Sequence, residues 1–171
     1  MGFLKFLIGF FLVFGMCTAS IAQDRNDKDV NGSTSFSSLK KEADDIKFQN
    51  SMEFYKLGKF ERALNEFNEY IEIFFDGTHR SEALKRIAEI YIRFFEYQKA
   101  IEAYKTLYQE FSNTEDGLDA YFQIGICYKK MGFDSKAEEI FKFIIAEHPG
   151  TSTAYKAEIQ LELLKIILEQ K

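Results

Sequence analysis

Small and aromatic residues return along most of the chain at a fixed interval of 37 residues. One column holds Ala63, Ala100 and Ala137, and four other columns keep the same phase. Stacked supersecondary units, each too small to bury its own apolar face, produce a repeat of this length. The other columns are Phe67, Tyr104 and Phe141; Phe54, Tyr91 and Tyr128; Leu57, Phe94 and Met131; and Phe74, Phe111 and His148.

Glycines mark the turn inside two of the three units. Gly58 and Gly132 fall where a first helix must end in a left-handed turn, a conformation that glycine adopts without strain. Phe95 occupies the corresponding position of the second unit, so we expect a different turn there. The caps predicted for the helices that follow each unit are Thr114, Thr151 and, more weakly, Gly77.

The third unit carries the pattern of a known family. A tetratricopeptide repeat has Trp, Leu, Gly, Tyr, Ala, Phe and Pro at fixed offsets. This chain has Tyr121, Ile124, Gly125, Tyr128, Ala137, Phe141 and Pro149 at those offsets. The segment from about residue 44 to 168 therefore resembles tetratricopeptide proteins, with a degenerate first unit and with Ser112 where the second unit would have Pro.

The resemblance implies an all-α fold, an α-solenoid of three helix pairs plus one C-terminal helix. The pairs are expected at about residues 44–80, 81–117 and 118–154, and the extra helix at 154–170. Ala157 and Leu161 continue the 37-residue step into that helix. The long repeat and the N-terminal segment described next resemble bacterial cell-envelope members of the family, similar to BamD or to the C-terminal domain of CpoB.

Residues 1–22 have the shape of a signal peptide. Lys5 supplies a positive charge, the run from Phe6 to Met16 is apolar, and Ser20-Ile21-Ala22 places small residues at a cleavage site. We expect cleavage after Ala22 and an exported, periplasmic protein. Two alternatives stay open, namely lipidation at Cys17, which follows a poor lipobox, and an uncleaved anchor formed by residues 3–22.

The segment 23–38 is polar, contains Asn-Gly and has no apolar period, so it is predicted to be a flexible linker. Ordered helix is expected from near Leu39, which places the repeat domain at residues 39–171. Cys127 would be the single cysteine of the mature chain. Stability then has to come from packing, and we expect this cysteine to be a small buried residue on a helix.

Composition argues against several classes of function. The formal charge is -5 and no Lys/Arg run is present, so nucleic acid is not an expected partner. Two histidines, His79 and His148, and one mature cysteine give no zinc spacing. The sequence also has no phosphate loop, no serine nucleophile elbow and no His-Glu-x-x-His motif. We therefore expect no enzyme activity, no cofactor and no metal.

The first helix of each pair is where the resemblance places function, because in tetratricopeptide proteins these helices line a concave groove. Apolar residues at both ends of the groove, with charges between them, suit an extended peptide or an amphipathic helix. The alternative interpretation is that Phe48, Phe122 and Ile126 are partly core residues. The predicted groove residues are Phe48, Met52, Tyr55 and Lys56 in the first unit, Lys85, Glu89, Ile92 and Arg93 in the second, and Phe122, Ile126, Lys129 and Lys130 in the third.

The C-terminal helix is apolar on two sides. At about 100° per residue, one stripe is formed by Ala157, Leu161, Leu164 and Leu168, and the second by Tyr155, Ile159, Leu163 and Ile166. A terminal solenoid helix should turn a polar face to water. The second stripe is therefore predicted to be covered by a homodimer mate, another protein or a segment of the chain, unless it partly faces the groove.

These patterns predict an exported scaffold or adaptor that binds an envelope protein or a peptide segment. Outer-membrane assembly and Tol-Pal or division processes are the pathways that the resemblance implies. Contact with a membrane is expected only by proximity or through the N-terminal anchor or lipid. The alternative function is an architectural subunit that self-associates through the C-terminal helix.

Overall fold

The computed structural model describes residues 35–169, with side chains to residue 166, and its helices confirm the all-α fold. Two compact units are defined, residues Met1–Ala43 and Asp44–Lys171. The described part of the first unit, 35–43, is helical and exposed. The helices are α1 (35–56), α2 (Phe60–Ile73), α3 (Arg80–Arg93), α4 (Tyr97–Phe111), α5 (Glu115–Lys130), α6 (Asp134–Glu147) and α7 (Ser152–Glu169).

The predicted signal peptide, its cleavage after Ala22, Cys17 and most of the predicted linker lie outside the described residues. Helix α1 is described from residue 35 onward, so the last four residues of the segment predicted as linker are helical rather than flexible. No Gly or Pro separates residue 35 from Leu39, and nothing stops the helix from extending backward by one turn. Within residues 35–169, none of the helices is both long and apolar enough to cross a membrane.

The column of alanines explains how the helices pack so closely. Ala63, Ala100 and Ala137 have no exposed surface, and they lie beside the buried rings of the aromatic column. Gly125 serves the same purpose on α5, because a Cβ there would lie 2.6 Å from Cε1 of Phe141. Close approach of the two helices of a pair therefore depends on small side chains, as the sequence pattern predicts.

The turn between α3 and α4 is the same as the other two, which corrects the expectation of a different turn. Phe95 has φ 59°, close to the 71° and 78° of Gly58 and Gly132. The hydrogen bonds also match, since the amide after each of these residues donates to a carbonyl five residues back. The stacking of the helix pairs holds this turn shape even where the side chain opposes it.

The starts of α5 and α7 are capped as predicted. Thr114 Oγ1 accepts a hydrogen bond from the amide of Gly117 at 3.2 Å, and Thr151 Oγ1 accepts one from Ala154 at 3.1 Å. Gly77 was expected to play the same part before α3, and that expectation is wrong. It lies beneath Tyr70, where an added Cβ would be 2.4 Å from the phenol oxygen.

Asp44 takes over the role of a cap before α3. Asp44 is buried, and its carboxylate accepts hydrogen bonds from the Tyr70 hydroxyl and from the amide of Thr78 at 2.7 Å. The Tyr70 hydroxyl oxygen in turn accepts a hydrogen bond from the amide of His79 at 3.1 Å. Burial opposes the negative charge of Asp44, but these hydrogen bonds outweigh it and lower the pKa of the carboxyl group. The start of α3 is thereby fixed by side chains from the preceding pair.

Candidate partner-binding face

The helices α1, α3, α5 and α7, the first helices, lie side by side and form one surface, here called the first-helix face. Lys156 Nζ of α7 donates to Asp119 Oδ1 of α5 at 3.1 Å, and the two residues are one repeat apart. Lys129 Nζ donates to Gln160 Oε1 at 2.9 Å, again between α5 and α7. Tyr55 of α1 donates to Glu89 Oε2 of α3 at 2.8 Å. Polar contacts thus connect α1 with α3 and α5 with α7 across this face.

Two of the predicted groove residues belong to the core. Phe48 is 9% exposed, and its ring stacks on His79 at a centroid distance of 4.3 Å and packs against Phe67. Phe122 is 6% exposed and packs against Phe141 at 5.5 Å. These two side chains are therefore core residues, as the alternative interpretation of the sequence predicts, because little of either ring is accessible to a partner.

The other predicted groove residues keep surface that a partner can reach. Lys56, Arg93 and Lys130 at the C-terminal ends of the helices are exposed. The remaining residues are partly buried: Met52, Tyr55, Lys85, Glu89, Ile92, Ile126 and Lys129. Their role in binding stays a prediction.

Arg86 is a central residue of this face that is absent from the predicted groove residues. Its guanidinium donates to Glu89 Oε2 at 2.7 Å and to Glu82 Oε1 at 2.5 Å, and it lies 5.2 Å from the centre of the Tyr55 ring. Burial disfavours the charge, but the two carboxylates outweigh this and raise the pKa of Arg86. Its Nε is buried without a hydrogen-bond partner among the described residues.

A sequence signal for Arg86 existed in the repeat itself. The residues one repeat apart at this position are Gln49, Arg86, Gln123 and Gln160, so every first helix has a long polar side chain here. Gln160 already takes part in a contact between helices, as described above. A column of long polar residues within an apolar repeat is a pattern typical of a functional or helix-bridging position.

The predicted C-terminal interface belongs to the same face as the groove. Ile159, Leu163 and Ile166 lie one repeat after Phe122, Ile126 and Lys129, of which Ile126 and Lys129 keep accessible surface while Phe122 packs on α6, and α7 packs beside α5 in the same direction. These three side chains are 61%, 43% and 50% exposed, and Tyr155 is exposed as well. Ala157 and Leu164 of the opposite stripe are buried against the preceding pair. The two predicted surfaces therefore adjoin each other along Leu163 and Ile166.

Cys127 lies beneath this face and is not placed to act as a nucleophile. It has no exposed surface, as predicted, and burial raises the pKa of its thiol to about 11. A buried thiol whose pKa is raised this far above pH 7 stays almost entirely protonated and is inert. No group of three or more His, Cys, Asp or Glu side chains is arranged to hold a metal within residues 35–169.

Stacked helix pairs whose first helices form one face define an α-solenoid repeat protein. Comparison with known proteins then gives the repeat family. Residues 82–114 and 119–151 match the tetratricopeptide repeat family. These two segments are thus tetratricopeptide repeats, and the first pair and α7 continue the same 37-residue step. No curated protein matches the chain significantly.

Solved structures with this fold share little sequence with the chain. The Arabidopsis OM64 TPR domain is 18% identical with a TM-score of 0.56, over 71% of this chain and 96% of that one. The second TPR domain of human RPAP3, in complex with the HSP70 peptide SGPTIEEVD, is 18% identical with a TM-score of 0.54, over 73% of this chain and 98% of that one. The Yersinia enterocolitica type III secretion chaperone SycD, in complex with a peptide of the translocator YopD, is 15% identical with a TM-score of 0.60, over 74% of this chain and 94% of that one.

Proposed function

We propose that this protein is a non-enzymatic scaffold that holds an extended or helical segment of a partner protein on its first-helix face. The observation that carries the proposal is the exposed apolar stripe of Ile159, Leu163 and Ile166, in register with Ile126 of α5. Exposed apolar stripes of this kind mark interaction sites in soluble proteins. Beside the stripe, Lys129 and Gln160 supply polar groups that fix the register of a bound segment.

Two proteins with this fold support a peptide as the ligand. The RPAP3 domain is in complex with an HSP70 peptide, and SycD with a peptide of YopD. A segment with apolar side chains at helical spacing would cover the α7 stripe, and its polar side would meet the charged centre around Arg86 and Glu89.

We place this scaffold in the periplasm, with a partner that acts in outer-membrane assembly or in Tol-Pal and division processes. The location rests on residues 1–22, and the pathway on the resemblance to envelope proteins. Fusing residues 1–22 to an alkaline phosphatase that folds only after export tests the location. Phosphatase activity supports export, and an inactive fusion contradicts it.

The binding face is tested by photocrosslinking from a single position. A photoreactive amino acid at position 159, on the α7 stripe, is expected to give one crosslinked adduct in envelope fractions. The matched position is 73, where Ile73 on α2 is also 61% exposed but lies outside the first helices. Adducts from position 73 alone, or equally from both positions, would contradict a binding site on the first-helix face.

The double variant Leu163→Glu with Ile166→Glu completes the test. It should abolish the adduct at position 159, while Ile73→Glu leaves it unchanged. The alternative function, self-association through α7, predicts a different result in light scattering. A dimer mass that falls to the monomer mass in the double variant, with an adduct of the chain to itself, would favour the architectural subunit.

A further inference from the structure

The three turns inside the helix pairs form one end of the stack, here called the turn edge, which covers residues 55–64, 92–101 and 129–138. Because successive first helices lie side by side in the same direction, these turns share one edge. Each turn exposes one large apolar side chain. These tip residues are Leu57, Phe95 and Phe133, with exposed fractions of 60%, 77% and 47%.

Phe95 holds its exposed position against its own backbone preference. Its φ of 59° is the left-handed conformation that glycine adopts in the other two turns. For a residue with a Cβ this conformation costs about 1–2 kcal/mol. The ring contributes little to the core, since among residues 35–166 its aromatic contact is with Tyr97, at a centroid distance of 6.4 Å. An aromatic ring held at such a cost while 77% exposed indicates a role outside the fold.

Two rows of basic residues flank the tip residues, each repeating at the 37-residue step. The inner row is Lys56, Arg93 and Lys130, at the ends of the first helices. The outer row is Arg62, Lys99 and Lys136, in the first turn of the second helices. Along every turn the chain thus passes from a basic residue through an apolar tip to a second basic residue.

The outer row is held in place by the same contact in all three pairs. Arg62 lies over the Phe54 ring at 4.3 Å, Lys99 over Tyr91 at 5.5 Å, and Lys136 over Tyr128 at 5.2 Å. Lys99 is also paired with Glu96. Cation–π contacts position the charge without neutralising it. The row is therefore an ordered line of basic groups beside the tips, with the charge of Lys99 partly balanced by Glu96.

The turn edge is positive although the protein as a whole is negative. Its three segments contain eight Lys and Arg and four Asp and Glu, a net charge of +4. The opposite edge, residues 73–82, 110–119 and 147–156, contains two basic and seven acidic residues, a net charge of -5. The molecule therefore presents two edges of opposite sign, and only one of them attracts an anionic surface.

We propose that the turn edge docks on an anionic lipid surface, with the three tip residues in the headgroup region and the two basic rows against lipid phosphates. A line of apolar side chains between two basic rows matches a flat surface that offers phosphates on both sides. An acidic peptide on the first-helix face would reach the inner row alone. The proposal does not depend on the partner-binding function, although the inner row also borders the first-helix face.

A single tryptophan provides the test, because the chain contains none. In the full-length chain, Phe95→Trp and Phe133→Trp each report on the turn edge, and Ile73→Trp reports on the opposite edge. With vesicles of phosphatidylglycerol and phosphatidylcholine, the turn-edge reporters should shift to shorter wavelength and be quenched by brominated acyl chains. Ile73→Trp should not respond. Each reporter senses only its own surroundings, whatever the N-terminal segment contributes.

Charge removal gives the second arm of the test. Lys56→Gln, Arg93→Gln and Lys130→Gln together should weaken the vesicle response of Phe133→Trp about a hundredfold, and higher ionic strength should weaken it too. An equal response at position 73, or an equal response with phosphatidylcholine alone, would overturn the proposal. So would a turn-edge response to poly-glutamate without one to vesicles, which would assign the edge to an acidic protein segment.

Discussion

The amide of Glu96 donates to the carbonyl of Tyr91 over 2.9 Å, and this bond closes the turn that forces Phe95 into a left-handed backbone. The equivalent bonds run from Lys59 to Phe54 and from Phe133 to Tyr128, each around a glycine. One turn geometry is thus shared by three pairs, and only the second pair has a side chain that resists it.

Replacing Phe95 by glycine should stabilise the protein. We expect Phe95→Gly to raise the free energy of unfolding by about 0.5–1 kcal/mol, because relief of left-handed strain exceeds the added freedom of glycine in the unfolded chain. Urea unfolding followed by circular dichroism measures the change. The converse variant, Gly132→Ala, should lower the free energy of unfolding by about 1 kcal/mol. An added Cβ at Gly132 would meet no atom within 4 Å, so the cost comes from the left-handed backbone alone. A destabilised Phe95→Gly would show that the ring packs in the native state.

Adding one methyl group at Gly125 should destabilise the third pair. The new Cβ would lie 2.6 Å from Phe141 and 3.1 Å from Ile140, so one helix has to shift. We expect Gly125→Ala to cost about 1–2 kcal/mol, because overpacking outweighs the better helix propensity of alanine. The same substitution in a Phe141→Leu background should cost less, and an unchanged cost in this double-mutant cycle would contradict the proposed clash.

Asp44 should make the stability depend on pH in the acid range. Its folded pKa lies below the ordinary value of 3.8, so its contribution is fully present above about pH 4 and is lost as the pH falls through the folded pKa. Asp44→Asn should therefore cost about 1.5–3 kcal/mol at pH 7 and progressively less below pH 4. Unfolding curves from pH 7 to pH 2.5 measure this, with the exposed Glu102→Gln as control. A cost that is independent of pH would contradict the role of the charge.

Cys127 should be almost inert in the folded protein. In a Cys17→Ser background, alkylation by iodoacetamide at pH 7.5 should be at least about a hundredfold slower in buffer than in urea, because the thiol is buried and its pKa is raised to about 11. An exposed cysteine made by Phe133→Cys, with Cys127→Ser, gives the reference rate. Fast alkylation of Cys127 without denaturant would mean that α5 opens readily.

The repeat pattern predicted most of the fold because its physical cause is local. Ala137, Gly125 and Thr114 occupy positions where close packing or capping allows few residue types, so their identity reveals the structure around them. The prediction failed at Phe95, since the sequence preference of one residue was weaker than the stacking of the whole pair. It failed again at Gly77, because the residues that cap α3 come from α1 and α2 and share no sequence neighbourhood with it.

The face was predicted less completely than the fold. The step of 37 residues placed Ile159 and Leu163 in phase with Phe122 and Ile126, but only the packing of α7 beside α5 shows them as one surface. Phe48 and Phe122 were included because of their phase, and burial removes them. Phase along a helix gives the direction of a side chain, whereas accessibility depends on what the neighbouring helix covers.

The sequence by itself determined the helix pairs, their order and the positions that had to stay small, because these follow from spacing along the chain. Only the tertiary structure decided that Asp44 fixes the start of α3, that Phe95 accepts a left-handed backbone, and that two basic rows enclose one line of apolar tips. Each of these depends on residues about a repeat apart being held side by side, and stacking of the helix pairs alone brings them together.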